Sequence, residues 1–422
     1  MTLPVIGFAG MTHLGLVSGV SAAEKGFNLI CYDADAARIA DLSQQRLPVS
    51  EPQLDDLVVK NKQKITFTAN IAELQKCDVV YVAPDVATDD QGQSDLTTIN
   101  ALLDAVFSAT RIDTVIVVLS QVPPGFTRVK QREGRILYYQ VETLIFGRAV
   151  ERALYPERYI LGCADPSQSL PVNFQKFLEA HGCPLLPMRY ESAELAKISI
   201  NMCLVASVST ANTLAELCEK IGADWSEIVP ALKLDKRIGQ YSYLAPGLGI
   251  AGGNLERDLA TVCNFADQYG TDAGVVRSWI SNSHHRRDWA IRVLKQELFP
   301  KIKEPVIAVL GLAYKQDTHS TKNSPSLALL ANLESYSVRV FDPVVSASSV
   351  MHHPRCYGAS SELDACMGAD ALAIMTPWPQ FGKLDLLEIK KQMRGSLVLD
   401  PYAMLDAESS RLASLKNITL GK

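Results

Sequence analysis

Leu3-Pro-Val-Ile-Gly-Phe8-Ala-Gly10-Met-Thr12-His-Leu-Gly15 is an apolar run that breaks into a glycine-containing turn. Residues 3–8 read as a buried strand. A helix of small residues follows from Leu14 to Lys25, and Gly26 ends it. Asn28-Leu-Ile-Cys-Tyr32 reads as a second strand, closed by Asp33. Strand, helix and strand in this order open a parallel α/β sheet. A dinucleotide fold places G-x-G-x-x-G directly after the first strand. The glycines allow the tight turn, the approach of backbone to pyrophosphate and the packing of helix on strand. Here the three positions are Gly10, Thr12 and Gly15. The Cβ of Thr12 either crowds a pyrophosphate or its hydroxyl bonds to one. Asp33 stands where a carboxylate grips the adenosine ribose diol and repels a 2′-phosphate, which favours NAD over NADP. The alternative is the same fold with its cofactor lost.

Further buried-strand runs are Asp78-Val-Val-Tyr-Val82, Thr114-Val-Ile-Val-Val-Leu119 and Tyr159-Ile-Leu-Gly162, with helical segments between them. From Ser192 to Gly222 the pattern is helical and unbroken, and more helix follows to about residue 300. A long helix with an apolar stripe buries it against another element or another chain. Pro305-Val-Ile-Ala-Val-Leu-Gly311 opens a second α/β unit, continued by Ser337-Val-Arg-Val-Phe341, Ala371-Leu-Ala-Ile-Met375 and Ser396-Leu-Val-Leu399. The expected fold is α/β: two Rossmann-like, doubly wound parallel-sheet domains joined by a helical middle with a long central helix. The expected boundaries are 1–190, 191–302 and 303–422.

The chain has 422 residues, enough for two or three domains with sizeable cores. It is 47% hydrophobic and 21% charged, with net charge -5, which carries no nucleic-acid footprint. The start lacks a basic region and a signal-like apolar core, and no apolar run is expected to approach spanning length. The nine cysteines show no C-x-x-C spacing. Reduced cytoplasmic thiols fit this better than disulfides or a zinc site. No H-E-x-x-H is present, and His284-His285-Arg286-Arg287 reads as a solvated helix face, so no metal is expected.

Chemistry concentrates in the middle of the chain. Lys197 and Asn201, in Glu194-Leu-Ala-Lys-Ile-Ser-Ile-Asn201, are four apart and share a helix face. Lys197 sits in an apolar run, where a lone charge needs a partner or a task. Arg237-Ile-Gly-Gln240 precedes the loop Gly249-Ile-Ala-Gly-Gly-Asn254-Leu-Glu-Arg-Asp258. Later come Gly311-Leu-Ala-Tyr-Lys315-Gln-Asp-Thr318 and Ser324-Pro-Ser326. In this order the segments resemble the UDP-glucose/GDP-mannose dehydrogenase family over nearly the whole chain. Leu47-Pro-Val-Ser-Glu51-Pro-Gln-Leu54, Ser120-Gln121-Val-Pro-Pro-Gly125, Tyr155-Pro-Glu-Arg158 and Thr376-Pro-Trp-Pro379 extend the match.

The resemblance implies NAD-dependent oxidation of a nucleotide-sugar, a UDP-sugar being favoured, by a cytoplasmic homodimer that binds neither nucleic acid nor membrane. It implies catalytic roles for Lys197, Asn201, Asp258 and Glu142, and places Asn254 where the family has its nucleophilic cysteine. Gly10, Thr12, Gly15, Asp33, Arg38, Ser120, Gln121 and Lys322 fall at cofactor positions. Arg237, Gly249, Gly252, Tyr314 and Lys315 fall at nucleotide-sugar positions. Several positions depart from the pattern: Gln121 replaces a threonine, Phe146 replaces a second glutamate, and Lys322-Asn323 replaces Arg-Glu. The family oxidises a C6 alcohol to a carboxylate in two hydride transfers, the second through a thiohemiacetal. A carboxamide is no nucleophile for that step. Three functions follow: a dehydrogenase stopping after one hydride or finishing through an aldehyde hydrate, a non-catalytic nucleotide-sugar binder, and a different nicotinamide-dependent reaction such as epimerisation.

Overall fold

The computed structural model describes residues 2–87, 89, 93–350 and 353–422. The chain divides into two compact units, Met1–Ile200 and Asn201–Lys422.

The first unit is built on eight strands: β1 (Val5–Ala9), β2 (Asn28–Tyr32), β3 (Ile65–Thr68), β4 (Val79–Val82), β5 (Val115–Val118), β6 (Ile136–Gln140), β7 (Tyr159–Cys163) and β8 (Leu185–Arg189). Their order in the sheet is β3-β2-β1-β4-β5-β6-β7-β8. All pairs are parallel except β6 with β7. The apolar runs β1, β4 and β5 occupy the centre, buried on both faces, as parallel strands must be. Separate apolar clusters cover the two faces. One gathers Leu14, Leu16, Val17, Phe174 and Phe177 over Phe8 and Tyr81. The other gathers Ile99, Leu103, Val106, Tyr190 and Ala193. The strand order reverses between β1 and β4, which opens a crevice at their carboxyl ends.

In the second unit helices come first: the remainder of Tyr190–Ile221, then Trp225–Leu234, Asn254–Tyr269, Gly274–Arg287 and Trp289–Glu297. A six-stranded parallel sheet follows, from β9 (Val306–Leu310), β10 (Ser337–Phe341), β11 (Cys356–Gly358), β12 (Ala371–Ile374), β13 (Leu397–Leu399) and β14 (Lys416–Ile418). Its order is β11-β10-β9-β12-β13-β14, with the same reversal between first and fourth strands. The expected doubly wound α/β architecture is present in both units.

The helix Tyr190–Ile221 corrects one expectation. It has 32 residues, and an 18-residue window reaches a mean hydropathy of 1.3, which by length and composition is enough to cross a membrane. Counting consecutive apolar residues missed it because Lys197, Asn201 and Asn212 interrupt the run. Those three polar side chains are each committed to protein partners: Glu142, Asp258 and the N–H of Gly247. Buried polar groups satisfied in this way suit a helix packed inside a protein.

Candidate active site

In the first unit the glycine turn sits at the end of β1. Gly10 has φ +94°, and a Cβ there would lie 2.8 Å from Pro84 N; a Cβ on Gly15 would lie 1.9 Å from Gly10 O. Both glycines are therefore required by close backbone approach. Thr12 precedes the helix His13–Glu24 but does not cap it. Its hydroxyl accepts from Asp85 N at 2.9 Å, so it ties the turn to the segment after β4. Asp33 Oδ2 accepts from Met11 N at 2.7 Å and from Arg38 Nη1 at 2.8 Å, and Oδ1 accepts from Asp35 N at 2.9 Å. Oδ1 keeps a lone pair for a ribose hydroxyl. The turn, with glycines at 10 and 15, and the acid at the second strand's end fit the adenosine half of a dinucleotide.

The second unit repeats this arrangement with a different outcome. Gly311 has φ +95°, and Asp342 closes β10. Asp342, however, accepts from the N–H groups of Leu312, Ala313, Val344 and Val345 and from Trp378 Nε1, at 2.7 to 3.1 Å. With five donors its carboxylate is spent on the protein. Asp342 is thus not open to a ribose as Asp33 is.

Lys197 and Asn201 stand one turn apart on the long helix. Lys197 Nζ donates to Glu142 O at 3.0 Å and lies 3.2 Å from Glu142 Oε2. Glu142 lies two residues beyond the end of β6, and its carboxylate also accepts from Leu144 N. Glu194, three residues before Lys197, is fully buried and accepts from Gly125 N at 2.6 Å and Thr127 N at 2.8 Å. It thereby fixes the turn that follows Ser120 and Gln121. Burial pushes the Glu194 carboxyl up, against the pull of those two N–H groups. One helix face therefore anchors two loops at the carboxyl ends of β5 and β6. Sequence reasoning quoted Glu194 without a role. The available signal was a short helix after Pro-Pro-Gly with no side chain of its own to cap it. Ser120 is buried, its hydroxyl donating to Pro84 O.

In the second unit Asn201 Nδ2 donates to Asp258 Oδ2, and Arg257 Nε lies 3.3 Å from Asp258 Oδ1. Asn201, Arg257 and Asp258 are all buried. Asn254 is the first residue of the helix Asn254–Tyr269 and is exposed, one turn before Asp258. The loop before it is held at several points. Gly247 N donates to Asn212 Oδ1, Ile250 N to Ser283 Oγ and Gly252 N to Lys322 O, while Asn323 Nδ2 donates to Gly252 O. A Cβ on Gly249 would lie 2.4 Å from Ser283 O, and one on Gly252 would lie 2.8 Å from the Tyr314 ring. Gly249, Tyr314, Lys315, Pro377 and Tyr402 line a groove beside this loop. Lys322 packs its stem beside Gly253. Arg237 is not part of the groove; its exposed guanidinium pairs with Asp235. Cys263 is buried, and burial raises its thiol.

Three family models match in order. They are the NAD binding domain at residues 4–176, the central domain at 191–284 and the UDP binding domain at 308–407 of the UDP-glucose/GDP-mannose dehydrogenase family. A UDP-glucose 6-dehydrogenase of Pseudomonas aeruginosa is 30% identical, covering 95% of this chain and 93% of its own length. Another from Rickettsia conorii is 29% identical and covers 99% of each. Among solved structures, a UDP-D-ManNAc dehydrogenase from Pyrococcus horikoshii has a TM-score of 0.85 at 21% identity, over 99% of both chains. A UDP-glucose dehydrogenase from Pyrobaculum islandicum has a TM-score of 0.83 at 24% identity, over 97% of this chain and 96% of its own, and these two likenesses show the fold. With three domain models matched in order and a relative 30% identical over 95% of its length, the chain belongs to the UDP-glucose/GDP-mannose dehydrogenase family.

Proposed function

We propose that this protein oxidises the C6 alcohol of a UDP-sugar and stops at the aldehyde, after one hydride transfer. The observation that carries the oxidation is the spacing of Lys197 and Asn201. They lie one turn apart on one helix, each committed to an acidic residue in a buried or half-buried setting. Such polar pairs are costly to hold and add little to stability, so their presence supports a chemical role. NAD, when bound, accepts the hydride. Gly10, Gly15, Asp33 and Arg38 hold its adenosine side, and Ser120 and Gln121 belong to the loop proposed for the nicotinamide side. Lys197, oriented by Glu142, handles the hydroxyl proton through a water. Asp258, with Asn201, orders polar atoms at the start of the Asn254 helix. Tyr314, Lys315, Gly249 and Gly252 seat the nucleotide-sugar, the Lys315 ammonium acting on phosphate.

The stop after one step rests on position 254. An aldehyde carries no transferable hydride until a nucleophile adds to it, and a carboxamide does not add. Cys263 is buried among Val205, Ile250 and Leu259 and cannot replace the missing thiolate. The exposed apolar residues Leu195, Leu214, Leu217 and Ile221 of the long helix support a homodimer, and nine free cysteines support a cytoplasmic setting. Separate calorimetric titrations with a UDP-sugar and with NAD test the reading. Binding of both supports it, and binding of the sugar alone would favour a non-catalytic relative.

A further inference from the structure

The glycine turn is where a dinucleotide pyrophosphate meets the helix N-terminus, yet three of its N–H groups, those of Gly10, Met11 and His13, are engaged from within. Gly10 N donates to Tyr32 O at 2.9 Å and Met11 N to Asp33 Oδ2 at 2.7 Å. His13 N donates to Asp85 Oδ2 at 3.2 Å. Asp85 is exposed and lies just beyond the carboxyl end of β4, at the point where the strand order reverses. Its own N–H donates to Thr12 Oγ1 at 2.9 Å. The threonine in the second glycine position thus holds the Asp85 backbone, and the Asp85 carboxylate holds the start of the helix. A carboxylate at a helix N-terminus makes the same interaction as a phosphate, with the N–H groups and with the dipole.

We infer that Asp85 is an affinity-determining residue for the dinucleotide. Its carboxylate occupies the pyrophosphate's place on the His13–Glu24 helix and must swing away before the cofactor seats. This rests on the reading of the turn as the dinucleotide site. Two anions cannot share one helix start, because like charges a few ångströms apart repel unless screened. Thr12 adds to the effect by keeping the Asp85 segment against the turn. Binding is therefore weaker than the turn alone allows, and the deficit is confined to ligands that carry a pyrophosphate.

The test is calorimetry on the full chain with NAD, ADP-ribose and adenosine, for the wild type, Asp85→Asn, Asp85→Ser and Thr12→Gly. Asp85 is exposed, so both of its variants keep the fold. The expected result is tightening of NAD and ADP-ribose by about tenfold in the Asp85 variants, a smaller gain for Thr12→Gly, and no change for adenosine. Added salt narrows the gap between the wild type and the variants. Unchanged or weakened NAD binding in both Asp85 variants overturns the inference. So does a gain that extends equally to adenosine, since that effect is not at the pyrophosphate. Failure of every protein to bind adenosine or NAD overturns the dinucleotide reading along with it.

Discussion

The Lys197 ammonium bonds to both the carbonyl oxygen and the carboxylate of Glu142, at 3.0 and 3.2 Å. The lysine is half-buried, on a helix whose neighbouring positions are apolar. The pairing orients the ammonium and leaves its remaining donor for a substrate or a water. Removing the ammonium removes the group proposed to handle the hydroxyl proton. Lys197→Ala and Lys197→Met are expected to lower turnover by about 10²-fold or more, read as NADH formation under saturating substrates. Turnover within a few-fold of the wild type in both variants would discard the role given to Lys197.

In the proposed reaction, position 254 sets the extent of oxidation. Asn254 begins a helix, where the N–H groups and the dipole lower the pKa of a thiol. Asn254→Cys is therefore expected to supply the missing nucleophile and raise the yield from one NADH per sugar to two. Mass spectrometry of the product separates the outcomes: a uronate agrees, and an unchanged aldehyde in an active variant does not.

Gly252 is needed for two separate reasons. Its φ is +86°, and a Cβ would meet the Tyr314 ring at 2.8 Å. Gly252→Ala is expected to cost about 1–3 kcal/mol and to displace Tyr314, weakening nucleotide-sugar binding while leaving NAD affinity unchanged. Thermal denaturation and calorimetry check both parts. A variant that binds the sugar nucleotide as the wild type does would refute this account of the loop.

Asp342 makes the second sheet sensitive to acid. Burial pushes its carboxyl up, but four backbone N–H groups outweigh burial and hold it below the ordinary range. A depressed carboxyl stabilises the fold above the unfolded-state pKa, about 3.9 for aspartate, and that contribution is lost as pH falls through the lower folded-state value. Asp342→Asn should destabilise the second unit at neutral pH and flatten the acid limb of its stability. An acid limb identical to that of the wild type would remove Asp342 from the explanation.

Much of this was legible in the sequence, and the unread parts have physical causes. The central strands are continuous apolar runs, so β1, β2, β4, β5, β7, β9, β10, β12 and β13 were all expected. The strands β3, β8, β11 and β14 lie at or near sheet edges, where short or half-exposed strands carry little apolar signal. β6 follows the charged stretch Lys130–Arg135, which hides its start. The twofold repetition of glycine turn and strand-end aspartate was present in Gly10–Asp33 and Gly311–Asp342. The number of donors each aspartate accepts depends on the loops that follow it and could not be counted from spacing. In the same way, the sequence showed that Thr12 replaces a glycine but not that its hydroxyl turns toward Asp85, because the partner is 73 residues away.

The proposed reaction is a single hydride transfer to NAD from a UDP-sugar. The most direct measurement incubates the wild-type protein with NAD and limiting amounts of individual UDP- and GDP-sugars. It counts NADH by absorbance and weighs the product by mass spectrometry. The expected result is one NADH per UDP-sugar and an aldehyde. Two NADH and a uronate, or no turnover with both ligands bound, would contradict it.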